Sequence, residues 1–511
     1  MTRPSDLSML ARATQTRLVP VRLRQVAGQW LLTNDFGHHV ALSGEDLARL
    51  MGDKLPAGDP LWQTLNENHF VAATLDRAAV TQQMRERLRF VRSGPNLHIF
   101  VVTLRCNHTC VYCHASRAPM DAVDMDMDIA TAERCVDTAF ESPSPALTIE
   151  FQGGEPLANW PVVEHIIEYG LQKNALAGRS LMFSLVSNLS LMDDEKLDYL
   201  IDRKVQICTS LDGPAFLHDE VRKWKGGPSH DTTVKWMARI NQRFIDQGLD
   251  PRQYRVEALP TVTRLSLPHA KEILDHYVDI GCRSIFLRHL DPFGWAATTK
   301  ERLGYEMADF LTFYKEAYFH VVELNRRGID FVERTAALFA AKIIGHWEPN
   351  FLDLRSPCGA GIGQIAYNHD GRLFTCDEGR MVDRAGDDCF CIGKAGETPL
   401  STAVGGEVVR AMALASVLDS HPDCAMCAYK PYCGVCPVHN YCEQGSLHGR
   451  MQDSTWCQKH MGLFDFFFER WLNGDEFEKG LLMRWATPRA LDHFVQEKNE
   501  GTHRLGERIG E

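Results

Sequence analysis

Between residues 97 and 290 the chain alternates short apolar runs with longer segments whose apolar residues recur every three or four positions. The runs Leu97–Thr103, Leu147–Phe151, Leu181–Ser187, Val205–Ser210, Tyr254–Leu259 and Ser284–Arg288 read as strands. The segments Ile129–Phe140, Glu195–Lys204, Thr232–Gln247 and Pro268–Ile280 between them read as helices. Six β/α units in about 200 residues are too few for an eight-fold barrel and predict an α/β fold built on a partial (β/α)6 barrel. In such a barrel, ligand-binding residues belong on the loops after the strands' C-terminal ends. Upstream, Val19–Gln25 and Gln29–Thr33 predict a hairpin around Ala27 and Gly28, followed by helices and a wing at Leu47–Met51, Leu61–Asn68 and Phe70–Ala73. The pattern divides the chain into an N-terminal unit (1–95), the barrel (96–310), a helical linker (311–355), a cysteine-rich region (356–460) and a helical tail (461–511).

Composition narrows the classes. A 44% hydrophobic and 24% charged chain of 511 residues is an ordinary globular one. Its net charge of −12 argues against generic nucleic-acid binding. No apolar run approaches membrane-spanning length; Leu463–Phe468 is short and carries Asp465. Ten of the 16 cysteines lie between Cys358 and Cys457, several at metal-ligand spacing. Met1–Pro20 holds no apolar stretch suited to export, so the expectation is a reducing cytoplasm and metal chemistry rather than disulfides.

The sharpest feature is Cys106-x3-Cys110-x2-Cys113, directly after the first strand. A 4Fe–4S cluster takes four thiolates, so three leave one iron open to another ligand. Two alternatives stand beside this. Cys110 to His114 also fits the haem-attachment pattern C-x-x-C-H, which requires export, and zinc would need a fourth ligand nearby. After the second strand comes Gly153-Gly154-Glu155, where two glycines admit close backbone approach and a carboxylate can hold an ammonium group. Asn188 follows the third strand, and Ser210-Leu211-Asp212-Gly213-Pro214 follows the fourth, with His218, Asp219 and Arg222 beyond. Asp212-Gly213 also reads as an ordinary turn, and Tyr112 as ordinary loop packing. Arg288-His289-Leu290-Asp291-Pro292 after the sixth strand is most simply a turn, although His289 can face the barrel mouth. Cys135, Cys208 and Cys282 read as small core residues, and the acidic loop Asp121–Asp128 as a solvated segment that caps a helix.

Cys106, Cys110 and Cys113 followed by Gly153-Gly154-Glu155 resemble the radical S-adenosylmethionine (SAM) superfamily. The resemblance implies a cluster whose open iron binds SAM, Gly153, Gly154 and Glu155 at its amino group, and Tyr112 beside the adenine. The string from Ser210 to Arg222 resembles the peptide- and sulfatase-modifying branch, which implies that its polar groups, Ser210, Asp212 and Arg222 among them, serve the ribose and carboxylate of SAM, with Asn188 a further cofactor-binding candidate.

Downstream, Cys424-x2-Cys427-x5-Cys433-x2-Cys436-x5-Cys442-x14-Cys457, preceded by Cys358-x17-Cys376, resembles a SPASM domain with two auxiliary 4Fe–4S clusters. Matched residue by residue, Cys424, Cys427, Cys433 and Cys457 would hold the distal cluster, and Cys358, Cys376 and Cys436 the proximal one. Leu354 to Pro357 offers no further cysteine, so either Cys442 completes the proximal cluster or one iron stays open. Cys389 and Cys391 match no position and read as free thiols. Asp377, directly after Cys376, stands where sulfatase-type maturases carry the substrate base, while a capping Asp is the alternative.

Residues 1–95 hold 12 Lys/Arg against 9 Asp/Glu and resemble small winged-helix modules that bind a leader peptide by strand addition, with a structural cap as the alternative. The match extends over about residues 15 to 460 and is nearest to the B-type maturase of the His-Xaa-Ser peptide system, through Leu31 to Asp35 and Cys433 to Pro437. It implies an oxidoreductase that modifies a ribosomally made precursor peptide and draws electrons from a flavodoxin or ferredoxin. The competing readings are a formylglycine-forming sulfatase maturase and a non-enzymatic iron–sulfur or zinc module.

Overall fold

The structure, a computed structural model, describes residues 17–349, 351–488 and 492–496. The first sixteen residues of the predicted N-terminal unit and most of the tail beyond 488 lie outside them, as does most of the Met1–Pro20 stretch.

The N-terminal unit is a three-stranded antiparallel sheet, β1 (Val21–Val26), β2 (Gln29–Asn34) and β3 (His39–Leu42), in that order. Ala27 (φ 49°) and Gly28 (φ 80°) both take left-handed backbone, the two-residue turn whose twist suits a tight hairpin. The sequence reading omits β3, which is only four residues long. Helices Gly44–Met51 and Pro60–Glu67 are capped by Ser43 and Asp59 and close over Leu32, Leu42, Leu65 and Phe70. The predicted wing is a single bridge between Leu18 and Val71.

The barrel strands are β4 (Leu97–Thr103), β6 (Ala146–Gly153), β7 (Ser180–Ser187), β8 (Gln206–Ser210) and β10 (Glu257–Leu259), all parallel. Between them a small ladder, β5 (His108–Cys110) with β9 (Arg222–Trp224), pairs antiparallel. The interior of β4 and nearly all of β7 are buried: Phe100 and Val102 of β4 lie in the main core with Val136 and Ile166 of the helices, while Ile99 packs with Phe374 and Cys376 of the cysteine-rich region. Ile129–Phe140 begins and ends where its periodicity places it, capped by Asp128, which accepts from the Thr131 amide at 2.7 Å.

The sixth strand departs from expectation. β11 is only Ser284–Ile285 and pairs with β12 (Val332–Glu333), touching the main sheet through a bridge between Thr261 and Arg288. Its extension is cut short because the Leu287 amide donates to the buried Glu333 carboxylate (3.4 Å) rather than to a strand. A second departure is larger. The cysteine-rich region contributes β13 (Gln364–Tyr367), β14 (Arg372–Phe374) and β15 (Cys391–Lys394), and β13 pairs parallel with β4. One eight-stranded sheet results, ordered β10-β8-β7-β6-β4-β13-β14-β15. Tyr367 and His98 seal the junction with a buried hydrogen bond of 2.9 Å. Helix Thr455–Asn473 runs unbroken across residue 460 and packs on helices Met307–Arg326 and Arg334–Ile343. Among the described residues no helix is long and apolar enough to cross a membrane.

Because β13 covers an edge of the barrel sheet, residues 96–310 produced alone should expose the buried β4 ladder and fail to give a soluble monomer. Size-exclusion chromatography and circular dichroism of that fragment check this; a folded, monomeric fragment would contradict it.

Candidate active site

The first thiol group sits at the C-terminal mouth of the barrel. Cys106 follows β4, and Cys110 lies on β5 opposite Arg222 on β9, so the loop is held at both ends. Its backbone is tied further by Cys106 N to Ala118 O (3.0 Å) and Cys113 N to Cys110 O (3.2 Å). Burial pushes the Cys110 thiol up to about 12 and raises Cys106 as well, each further by its neighbouring thiols. The His108 amide points at Cys106 Sγ (3.4 Å), and Arg222 Nη1 stands 4.0 Å from Cys110 Sγ.

Gly153 and Gly154 lie against this loop so closely that a side chain would not fit. A Cβ on Gly153 (φ +137°) would stand 2.0 Å from Thr103 O, and one on Gly154 2.3 Å from Arg105 O. Glu155 beyond them is buried completely. It accepts from the Leu157 amide (3.0 Å), Ser187 hydroxyl (2.8 Å) and Asn188 amide (2.8 Å), yet burial lifts its pKa to about 7. A carboxylate so placed gains from a neighbouring ammonium. Asn188 Nδ2 reaches Asn107 Oδ1 (3.1 Å) and approaches Cys106 Sγ (3.8 Å).

Asp212 is a structural hub. It accepts from Tyr112 Oη (2.6 Å), Arg222 Nε (2.7 Å) and the Thr261 amide (2.9 Å), while its own amide donates to His218 Nδ1 (3.2 Å). Its oxygens thus align Tyr112 and Arg222. Tyr112 is buried in the wall with Val221, Ala296 and Leu303, and Ser210 closes β8, half-buried. His108 and His218, both unassigned from sequence, share the Ser229 hydroxyl at 2.7 and 3.0 Å and buttress the same loop.

The second group is Cys358, Cys376 and Cys436, in one buried cluster with Ile99 of β4. All three thiols are raised by burial, Cys358 to about 12. Glu378, which sequence reading missed, is the strongest charge acting on Cys376 and on Cys358, and burial lifts its own carboxyl to about 7. Cys442 does not join them. It is exposed, and the one charge that moves it belongs to Asp387. Cys436 caps helix Pro437–Gln444, and six residues at about 100° each carry Cys442 to another face. Cys389 is exposed and Cys391 half-buried.

Asp377 is buried at the start of helix Asp377–Asp383. Arg380, one turn on and almost wholly enclosed, donates to Asp377 Oδ1 from Nε (3.1 Å) and Nη2 (2.7 Å). Asp377 Oδ2 takes no hydrogen bond among the described residues. The Asp377 charge also raises the pKa of Glu150 on β6, after the dominant effect of burial. The i, i+3 spacing of Asp377 and Arg380 was the available sequence signal.

The third group, Cys424, Cys427, Cys433 and Cys457, lines a cavity of about 480 Å³ that Leu23 and Arg24 of β1 also wall. Each of these thiols is raised by burial, Cys424 to about 12 and Cys457 to about 11, and Cys424, Cys433 and Cys457 are raised further by neighbouring thiols. Arg24 clamps Asp465 with two bonds of 2.6 Å, and Arg22 Nε donates to Ala425 O (2.6 Å). The N-terminal sheet is therefore bolted to the loop bearing these cysteines.

These residues fit iron–sulfur clusters. A single zinc ion with Zn–S near 2.3 Å would draw its sulfurs to about 3.8 Å of one another. Among the described residues no three of these thiols lie within 4.8 Å of each other. The glycine cradle and Glu155 beside the first group suit an amino-acid ligand on an open iron.

Residues 100–250 match the family model of the Radical SAM superfamily. The chain is 27% identical over 195 residues to an uncharacterized protein of Methanocaldococcus jannaschii, a match covering 38% of this chain and 62% of that one. It is 22% identical over 390 residues to the cysteine-type anaerobic sulfatase-maturating enzyme of Clostridium perfringens, covering 72% of this chain and 95% of the relative. Among solved structures it resembles anSMEcpe with bound AdoMet (TM-score 0.61, 19% identity, 78% of this chain and 100% of that one). It also resembles Streptococcus suis SuiB bound to the precursor peptide SuiA (TM-score 0.51, 15% identity, 86% and 100%). The thiol triplet, the glycine cradle and most of the parallel strands that carry them fall within residues 100–250, the stretch that matches the Radical SAM superfamily model.

Proposed function

We propose that this protein is a SAM-dependent maturase that oxidises side chains of a ribosomally made precursor peptide. Cys106, Cys110 and Cys113 hold the SAM-binding cluster, Gly153, Gly154 and Glu155 take the amino group of SAM, and Arg222, aimed by Asp212, takes its carboxylate. Cys358, Cys376 and Cys436 hold the proximal auxiliary cluster and Cys424, Cys427, Cys433 and Cys457 the distal one. When bound, these groups supply a 5′-deoxyadenosyl radical that removes a substrate hydrogen atom, and an acceptor for the electron left behind.

The chain's own contribution is a place for the proton. Arg380 fixes Asp377 through Oδ1 and leaves Oδ2 free, and this is the observation that best supports the reading. Oxidising a side chain removes a proton as well as a hydrogen atom, and Oδ2 receives it. A peptide substrate is supported by the fold shared with SuiB, whose structure holds the precursor SuiA. We assign leader binding to the free edge of β3, which pairs only with β2 among the described residues. The resemblance of Leu31 to Asp35 and Cys433 to Pro437 directs the reading toward the His-Xaa-Ser system. A flavodoxin or ferredoxin is the electron donor, and the setting is the cytoplasm.

A second reading, a sulfatase-type maturase forming formylglycine, is favoured by the anSMEcpe fold match and by Asp377 directly after Cys376. Mass spectrometry separates the two. A crosslinked or oxidised precursor peptide supports the first, and conversion of a sulfatase Cys or Ser to formylglycine the second.

Asp377→Asn should lower product formation by roughly a hundred- to ten-thousand-fold while 5′-deoxyadenosine release and iron content persist. The ratio of modified peptide to deoxyadenosine reads this directly. An unchanged ratio and rate would make Asp377 a bystander.

Removal of residues 1–95 should depress modification of leader-bearing peptide more than it depresses SAM cleavage without peptide. Equal losses would leave the N-terminal sheet only its bolting role.

A further inference from the structure

Two imidazoles and a carboxylate converge at a point outside all three thiol groups. His289 and Asp291 come from the loop after β11, and His439 from helix Pro437–Gln444, three residues past Cys436. One ligand atom from each lies within 4.8 Å of the others, and all three side chains are largely enclosed. No other group of three such side chains meets this spacing among the described residues.

Both imidazoles turn a ring nitrogen toward the Asp291 carboxylate. His289 Nε2 is 3.0 Å and His439 Nδ1 3.8 Å from Asp291 Oδ1. Both nitrogens are nevertheless buried with no hydrogen-bond partner. Buried orphan nitrogens are rare and each needs a reason. Metal–ligand bonds of about 2.0–2.2 Å in a tetrahedral shell separate neighbouring ligand atoms by about 3.4 Å, and the two measured separations straddle that value.

The surroundings agree. His439 Nε2 lies 3.1 Å from Thr455 Oγ1 and 3.6 Å from Glu443 Oε2, so its proton belongs on Nε2 and its Nδ1 lone pair faces Asp291. His289 Nδ1 is 3.4 Å from Lys459 Nζ. The charged groups facing this centre are Asp291, Asp353, Glu443, Lys459 and Arg288, an excess of one negative charge before any cation enters. Phe293 and Trp456 screen it from water, with ring centroids 6.3 and 5.3 Å from that of His439.

We propose that His289 Nε2, Asp291 Oδ1 and His439 Nδ1 bind one divalent transition ion of the zinc or ferrous class, independent of the clusters. Two imidazoles and one carboxylate are a donor set suited to that class and carry no sulfur. The ion braces the barrel against the cysteine-rich region. The loop of Asp291 continues to Trp295, whose amide donates to Cys113 O (3.0 Å), while His439 shares a helix with Cys436. One ion therefore ties the loop of the first thiol group to a cysteine of the second.

The test uses full-length protein with clusters assembled anaerobically, given one equivalent of zinc and then desalted. About one zinc per chain should be retained with no loss of iron. Its zinc K-edge absorption spectrum should show only nitrogen and oxygen neighbours at about 2.0–2.2 Å. His289→Ala and His439→Ala should each cut retained zinc at least about ten-fold while iron content stays unchanged. Sulfur neighbours at about 2.3 Å, or zinc gained at the expense of iron, would place the metal in a thiol group and overturn the proposal. Wild-type protein that retains no zinc would overturn it equally, and since both of those results are read on the wild type, misfolded variants cannot decide the matter.

Discussion

The parallel pairing of β4 with β13 is the contact on which the rest of the molecule depends. β4 ends just before Cys106, and β13 and β14 lead directly to Cys376 and Asp377. One hydrogen-bonded sheet therefore ends in Cys106 of the first thiol group, Cys376 of the second and the free carboxylate oxygen of Asp377. A flexible linker between two domains would leave the separation of these groups to diffusion. The buried Tyr367–His98 bond and the shared cluster of Ile99, Ala366 and Phe374 with the proximal cysteines make the junction core rather than interface.

Burial sets the chemistry of the thiols. Enclosure raises thiols in all three groups far above the solution range, so they are protonated until a cation replaces the proton. Metal assembly at such sites is coupled to proton release and to folding. Glu155 and Glu378 follow the same rule, with carboxyls lifted to about 7 by burial next to thiol groups. Arg222 and Arg380 play the opposite part: each is tied to a carboxylate, Asp212 or Asp377, and so is held in one orientation.

Local features were legible in the sequence and distant pairings were not. Ile129–Phe140 could be read to the residue because its periodicity and the Asp128 cap are local signals. Gly153 and Gly154 were readable as a close approach, since only glycine fits against Thr103 and Arg105. The β4–β13 ladder joins segments far apart in the chain, and a four-residue strand such as Gln364–Tyr367 has too few positions to declare its partner. That the Asp212 oxygens accept from Tyr112, Arg222 and Thr261 is something no spacing rule reports. Cys442 read as near Cys436 because it is near in sequence, whereas the helix between them turns it away. His439 gave no signal at all, since its partners His289 and Asp291 come from another region.

The central claim is that three separate thiol groups in one rigid frame are three iron–sulfur sites. Iron and sulfide analysis with Mössbauer spectroscopy of anaerobically purified protein tests it most directly. The account predicts three 4Fe–4S clusters, about twelve irons per chain, falling by one cluster when Cys106, Cys110 and Cys113 are replaced with alanine. Zinc in the C-terminal thiols, or a single cluster confined to Cys106, Cys110 and Cys113, would contradict it.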